Sequence, residues 1–507
     1  MSLASFSLAT RPWIPAWTAA GPVRLSLREA LTRAHEVRLS GPPEEHTVVL
    51  RLLLAVYGAA ARPADSAQWD AAWHADALDT ACVDAYLDAY ADRFDLFSTT
   101  HPFGQSAGLS ASDANRDGRV LELASWGSGT AHFAARLLHD QGPMDPADAA
   151  IGLLLLQAWH PGGIQSGHPT DPATRGNRVY GGKPGLLSTL THLRITGASL
   201  KDEVLLNLPV AERADGDSPV WERDSPPAPM AVREAAGPLD VWTWPTRRVR
   251  LIPDESGRVS AVAVYDGDRL TDPAATGARW DPGAALGARG GRLALTDSAG
   301  HLLPWAPAAL LPTTDTADTT DTAGAAAEAG GVSGGRCAVV DHVVAAAERG
   351  TLAPDMAIEA ALVRSEHTTA HRAALSGLTH LAAPIGPAAA LGDPRQRAAL
   401  AAAARWPGQV QRALTRTAAE AFHLLLQAAQ SRAELSIAAH LGGAWQEFTQ
   451  DPAGGEDAWR RALEAAVEQT AGPVAGRGRL MALARVATAA RTALAQSAPS
   501  PVPQGDH

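Results

Sequence analysis

Few residues in this chain stand at a spacing that catalytic or metal chemistry demands. His367 and His371 lie four apart in EHTTAH, so on a helix both would face one metal ion. The glutamate that acts as general base in HExxH is missing, because Thr368 takes its place. Gly331–Gly335, GVSGG, has the GxSxG form of a nucleophile elbow, but it sits in a low-complexity stretch with no strand before it and no helix after it. Gly181–Pro184, GGKP, has the outline of a phosphate loop. Asn177 stands where the first glycine is required and Pro184 where a hydroxyl must hold magnesium, so nucleotide hydrolysis is not expected. His101 and His160, among 17 histidines, each precede a proline, and nothing pairs either with a nucleophile. Cys82 and Cys337 lack CxxC or Cys/His spacing, which argues against a zinc site and a disulfide framework and fits a reducing cytoplasm. No catalytic residue, metal or cofactor is therefore expected.

The chemistry that remains belongs to the backbone. Trp159–Gly185, WHPGGIQSGHPTDPATRGNRVYGGKPG, holds seven glycines and four prolines. A chain without Cβ atoms takes φ > 0 and comes very close to another molecule. Lys183, one of two lysines in the chain, lies here with Arg175 and Arg178. Bare amides beside guanidinium groups suit a phosphate or an anionic polymer. The same composition also suits a surface loop that is merely permissive. A second basic cluster, Arg247, Arg248, Arg250 and Arg258, falls on the arms of a hairpin read around DESG (Asp254–Gly257), with Arg269 beyond Tyr265. Period-2 alternation gives that hairpin a basic face, which serves equally as a solvated strand face or as candidate phosphate contacts.

A chain of 507 residues exceeds one hydrophobic core, so two or more domains are expected. With 46 % apolar and 19 % charged residues it reads as globular, and a net charge of -11 is not that of a free-standing nucleic-acid binder. Contact with nucleic acid would come from local arginines or be shared with a more basic partner. The start shows no charged segment before an apolar one, so no secretory leader is expected. No apolar run reaches the roughly 18 residues of a membrane span.

RPWIP (Arg11–Pro15) fixes an extended segment around a large apolar anchor. Val23–Leu31 reads as a strand and then a helix from Ser26, with Glu29 completing a capping box. Thr47–Ala60 reads as a buried helix and Ala81–Arg93 as another, followed by FDLF and HPFGQ (His101–Gln105). Ala131–Asp140 reads as a helix, His139–Pro146 as an exposed connection, and a further helix begins at Asp148. Thr313–Gly335 is low-complexity and too poor in large apolar residues to order itself. Helices are expected at Ala338–Glu348 and Ala357–Ala374, then at 386–405, 408–434, 456–471 and 478–496 with short breaks, the pattern of an antiparallel four-helix bundle. The fold class is α+β: a large mixed N-terminal domain with small β-sheets over residues 1–365, a helical bundle over 366–498 and a frayed tail over 499–507.

The first third carries more than a fold class. RPWIP, VRLSLREAL with AHE after it, RLLLAVYG, YLDAYADRFDLF and HPFGQ occur in that order, with GGIQSG and SLKDEVLLNLP further on. Together they resemble the large subunit of the type I-E CRISPR surveillance complex, Cascade (the CasA family). RFDLFSTTHPFGQ is the most specific piece. The resemblance covers nearly the whole chain and is closest up to about residue 210.

The resemblance implies a non-catalytic cytoplasmic subunit. It would read the short protospacer-adjacent motif of foreign double-stranded DNA from the minor groove, help to start strand separation, and dock a helicase-nuclease. The partners implied are the other Cascade subunits with their guide RNA, the target DNA and the helicase-nuclease; no membrane is involved. The family's glycine loop corresponds to His160–Gly163, with Gly162 and Gly163 matched by the GG-x-x-SG spacing, and a minor groove roughly 6 Å wide admits a backbone that lacks side chains. Its lysine finger falls in YDGDRL, where Arg269 stands instead. Its glutamine wedge falls near Arg364–Thr368, where RSEHT has no glutamine; His367 is the nearest match and is able to stack on a base, while Glu366 would repel phosphate. A mobile loop near the guide RNA corresponds to His139, Asp140, Gln141 and Gly142 through Pro146. Arg175, Arg178, Lys183, Arg247, Arg248, Arg250 and Arg364 are candidate phosphate contacts. Two alternatives stay open: a stand-alone metal- or His-dependent hydrolase, and a purely architectural subunit.

Overall fold

The computed structural model of this chain describes residues 5–123, 142–211, 213–287, 290–296, 300, 302–312, 335–367, 375–404, 442–443 and 445–450. It separates into two compact units, Met1–Ala284 with Leu362–His380, and Ala285–Ala361 with Leu381–His507.

The first unit opens with three antiparallel strands, β1 (Ile14–Thr18), β2 (Gly21–Leu25) and β3 (Arg38–Leu39), in the order β2-β1-β3. The RPWIP segment leads into β1. Trp13 and Ile14 are fully buried, and the Trp13 indole donates to the Leu8 carbonyl at 3.0 Å. After β2, Ser26 caps the helix Leu27–Thr32 in the expected capping box: the Glu29 amide donates to Ser26 Oγ (3.2 Å), and the Ser26 amide to Glu29 Oε2 (2.9 Å). The helix Pro43–Ala61 is buried at every position from Thr47 to Gly58. Burying each of its leucines and valines contributes roughly 1.5–3 kcal/mol. Arg51 in the middle of it is satisfied by Asp281 and by the Val241 carbonyl (3.0 Å).

HPFGQ forms a turn whose side chains serve the core. Phe103 stacks with Phe94 and Trp221. Gln105, 2 % exposed, donates to the Leu96 carbonyl (2.8 Å) and accepts from the Leu251 amide (2.8 Å). It thereby ties this turn to a second sheet, β4 (Arg116–Asp117), β8 (Arg247–Pro253) and β9 (Val259–Asp266), in the order β4-β9-β8. The β8–β9 hairpin turns at Asp254–Gly257 as expected, with Gly257 at φ +81°. A two-stranded ribbon, β5 (Gly163–Ser166) and β6 (Arg178–Gly182), follows the helix Pro146–Trp159. Beyond it, β7 (Thr191–Ile195) borders β10 (Ala357–His367), and β11 (Leu375–Pro387) lies on the far side of β10.

Two expectations are corrected here. Ala357–Ala374 was expected as a helix, but β10 occupies its first part. Ile358, Ala360 and Leu362 are buried while Glu359 faces out, a period of two carried on alanines that favour helix. Pairing with strands on both sides outweighs that preference. His367 therefore ends a strand, and His371 lies outside the described residues. The arginines of β8 do not make a solvated basic face either: Arg247 and Arg248 are each 1 % exposed.

In the second unit, the helix Ala338–Glu348 forms as expected, and 386–405 is broken into the helices Ala388–Gly392 and Pro394–Ala403, with Asp393 capping the latter. Arg397 holds the Leu391 and Pro312 carbonyls (2.6 and 3.0 Å) and pairs with Glu348 (2.7 Å). The expected helix Ala131–Asp140, the insertion at 313–334, and the segments 408–434, 456–471 and 478–496 lie outside the described residues. No single helix among the described residues is long and apolar enough to cross a membrane.

Candidate nucleic-acid interface

The helix Pro146–Trp159 aims the glycine-rich stretch. Asp145 caps it, accepting from the Ala147 amide (2.9 Å), and its residues Ala149–Gly152 are all buried. The helix ends at His160 and Pro161. The chain then runs out along β5 and returns along β6. The stretch is an antiparallel ribbon whose strands are joined by residues 167–177, and the end of that connection is a tight turn leading into β6. Arg175 and Arg178 exchange backbone hydrogen bonds (2.8 and 3.1 Å) around Gly176 and Asn177, which both have positive φ (56° and 59°). Two successive left-handed residues define a type I′ turn, whose twist matches that of the strands.

The root of the ribbon is fastened by Arg247. Its Nη2 donates to the carbonyls of Pro161 (2.8 Å) and Lys183 (3.0 Å), one at each end of the ribbon, and its Nε donates to His160 Nδ1 (3.2 Å). Gln157 holds the Arg247 backbone in turn, accepting from its amide (2.8 Å) and donating to its carbonyl (2.9 Å). Burial pushes the Arg247 guanidinium down to about 10, opposed by Asp266, so it stays charged at neutral pH. Burial, with Arg247 beside it, holds His160 well below the ordinary histidine range, so the ring is neutral. On the return arm, the Gly185 amide donates to the His160 carbonyl (2.8 Å), and Ser188 Oγ donates to the Trp159 carbonyl (2.6 Å). A Cβ on Gly185 would stand 2.3 Å from the Ala158 carbonyl oxygen, so no side chain fits there.

The glycines of the ribbon divide by role. A Cβ on Gly162 would stand 2.8 Å from the Gly182 carbonyl oxygen and 3.0 Å from Pro184 Cδ, so Gly162 is a packing glycine. Gly163 has φ +100°, and nothing lies within 4 Å of where its Cβ would be. Arg269 is fixed beside this edge: its Nε donates to Asp266 Oδ2 (2.6 Å) and its Nη2 to the Tyr180 carbonyl on β6 (3.1 Å). Arg116 of β4 reaches the other strand, donating to Ser166 Oγ (3.1 Å). Lys183 donates to the Thr271 carbonyl (3.2 Å), while Arg175 and Arg178 are exposed at the turn. The ribbon thus carries a rim of cations on a chain that is acidic overall.

The structure therefore brings Gly162, Gly163, Arg269, Lys183, Arg175 and Arg178 together, and places Arg247 beneath them as a clamp rather than as an outward contact. It separates the rest. Arg248 is turned inward onto Asp268 (2.5 Å) and the Pro227 carbonyl (2.8 Å). Arg250 is half-buried and donates to the Ser98 carbonyl (2.8 Å). Arg364 pairs with Glu366 (3.2 Å). The strand that carries Arg364 and His367 touches the return arm of the ribbon through Ser365 Oγ, which donates to the Ser188 carbonyl (3.0 Å). His367 is the last residue of that strand, and its side chain lies outside the described residues, as do His139, Asp140 and Gln141; Gly142 is exposed. His101 faces Asp92 (3.9 Å), so it and His160 have separate partners. Among the described residues, no group of three or more His, Cys, Asp or Glu side chains is placed to hold a metal ion.

Sequence reasoning missed the clamp and the ribbon. The Gly-Asn pair between Arg175 and Arg178 was the available signal for the tight turn that leads into β6. The clamp had none, since Arg247 meets Pro161 and Lys183 only through the fold.

Comparison with known proteins agrees with this architecture. A CasA/Cse1 protein of Thermus thermophilus is 33 % identical over 270 residues, and that match spans about half of each chain (50 % of this one, 51 % of the relative). The crystal structure of Thermobifida fusca Cse1 superposes with a TM-score of 0.79 at 23 % identity, covering 97 % of this chain and 98 % of that one. A chain of a CRISPR RNA-guided surveillance complex superposes with a TM-score of 0.67 at 19 % identity, over 97 % and 99 % of the two chains. Likenesses at that identity speak for the fold, and the sequence model of the CRISPR-associated protein Cse1 family matches residues 7–470. This chain accordingly belongs to the Cse1 (CasA) family, the large subunit of the type I-E Cascade complex.

Proposed function

We propose that this chain is a non-catalytic cytoplasmic subunit that reads the protospacer-adjacent motif of double-stranded DNA with the β5–β6 ribbon. It promotes strand opening for pairing with the guide RNA and recruits a helicase-nuclease. Its partners are the other Cascade subunits with the guide RNA, the target DNA and that nuclease. The observation that carries this reading is Gly163: a positive-φ backbone with nothing within 4 Å of where its Cβ would be, next to Arg269, which is fixed by Asp266 and by the carbonyl of Tyr180. A backbone edge without side chains enters a narrow groove, and an arginine beside it meets the negative potential there. Arg175, Arg178, Lys183 and Arg116 would face the phosphates. Arg364 and His367 lie on β10, and the pairing of Arg364 to Glu366 lowers what Arg364 contributes.

With a net charge of -11, the isolated chain should bind DNA poorly, and the assembled complex should bind in a motif-dependent way. Gel-shift titrations of the complex assembled with and without this chain test this. The expected result is loss of discrimination between duplexes with and without the motif when the chain is omitted. Unchanged discrimination would refute the proposal.

A further inference from the structure

Large hydrophobic side chains are seldom left in the open, and the ribbon carries two of them. Ile164 on β5 is 58 % exposed and Tyr180 on β6 is 57 % exposed. The register explains why they stand together. Gly163 faces Gly182 and Gln165 faces Val179, so Ile164 opposes both Tyr180 and Gly181 across a bulge. Gly181, at φ +68°, is the left-handed glycine that absorbs the extra residue. Alternation turns Val179 inward, where it is 1 % exposed, and Ile164 and Tyr180 outward on one face. The bond from Arg269 to the Tyr180 carbonyl fixes the backbone beneath the ring. Val232, 65 % exposed, borders this patch through its backbone bridge to Arg269.

The surroundings indicate the occupant. Arg116 lies along β5, Arg175 and Arg178 flank the turn, and Lys183 and Arg269 flank the root. An apolar pair inside a cationic rim matches a polyanion with flat apolar faces inside it, which describes nucleic acid: phosphates for the rim, bases for the centre. A tyrosine ring supplies stacking area with few degrees of freedom to lose.

We propose that Tyr180 and Ile164 form an apolar wedge at the opened end of the target duplex, with the Tyr180 ring stacked on an unpaired base beside the motif and Ile164 packed against the neighbouring sugar. This rests on the reading of the ribbon as the DNA-facing edge.

The test uses the assembled complex carrying Tyr180→Ala, Tyr180→Phe or Ile164→Ala. Opening is followed by 2-aminopurine placed next to the motif, on an intact duplex and on one pre-opened by a short mismatch. Tyr180→Ala should slow opening of the intact duplex by about tenfold, the scale of one lost base–aromatic stack. The pre-opened duplex should restore the rate, Tyr180→Phe should behave as wild type, and Ile164→Ala should lie between. Opening by Tyr180→Ala at the wild-type rate overturns the wedge, as does an equal loss on both duplexes. A wild-type complex without motif dependence would instead refute the reading of the ribbon itself. Both side chains are more than half exposed, so the variants should assemble, which gel filtration of the complex checks.

Discussion

Gly162 and Gly163 are neighbours in sequence and opposites in what they tolerate. At Gly162 a methyl group would press on the Gly182 carbonyl oxygen, which is backbone and cannot swing aside. Gly162→Ala should therefore part the strands and destabilise the first unit by about 1–3 kcal/mol. At Gly163 a methyl group meets open space and the cost is conformational, about 1–2 kcal/mol for a residue held at positive φ. If the ribbon edge enters the groove, Gly163→Ala should impair motif discrimination more than its loss of stability explains. Thermal unfolding of both variants, set beside gel-shift discrimination by their complexes, separates the two roles. Discrimination by Gly163→Ala equal to wild type would remove that edge from the DNA contact.

At the scale of the element, the ribbon is a short hairpin, and a lone two-stranded ribbon is marginal in water. Its rigidity comes from beneath. Arg247 holds one carbonyl from each end while its charge faces Asp266 at 3.6 Å. Arg247→Met keeps the bulk and removes the donors, leaving two buried carbonyls and a carboxylate short of partners. The expected loss is about 3–5 kcal/mol in urea unfolding. Arg175 and Arg178 are exposed at the turn, so a loosened ribbon should also be cut there by trypsin faster than wild type, under conditions where the rest of the chain stays folded. A tryptic rate unchanged from wild type would mean that the clamp does not control the ribbon.

At the scale of the whole molecule, an acidic chain has buried cationic and titratable groups at its structural joints. His192 is held down to about 4, chiefly by burial and further by Arg51 and Arg194, against the opposing pull of Asp281. Free histidine titrates near 6.5. Above that value the ring is neutral in both folded and unfolded chains. As pH falls below it, the unfolded chain takes up a proton that the folded chain refuses until about 4, so stability is lost across that window. The loss from His192 is on the order of 3 kcal/mol, and His160, held low for the same reason, adds to it in the same direction. The urea midpoint should fall between pH 7 and pH 4.5, and His192→Gln should flatten that fall. Parallel curves for variant and wild type would assign the acid sensitivity to other groups.

Local patterns were legible wherever they answered to local physics. The capping box at Ser26 and Glu29, the buried helix after Pro43, the hairpin at Asp254–Gly257 and the inward anchors of RPWIP and HPFGQ follow from periodicity, capping and turn chemistry, which act over a few residues. The family was legible as well, through the order of its motifs. What only the tertiary structure decided is what each residue of the glycine stretch is for. The sequence shows glycines, arginines and a tyrosine. Strand pairing sets which glycine is packed and which is bare, and a rung register with one bulge turns Ile164 and Tyr180 outward. Arg247 meets Pro161 and Lys183, 86 and 64 residues away along the chain, only once the fold closes. An arginine's role depends on whether carbonyls or solvent surround its guanidinium, and that is fixed by packing between segments far apart in sequence, which no local pattern records.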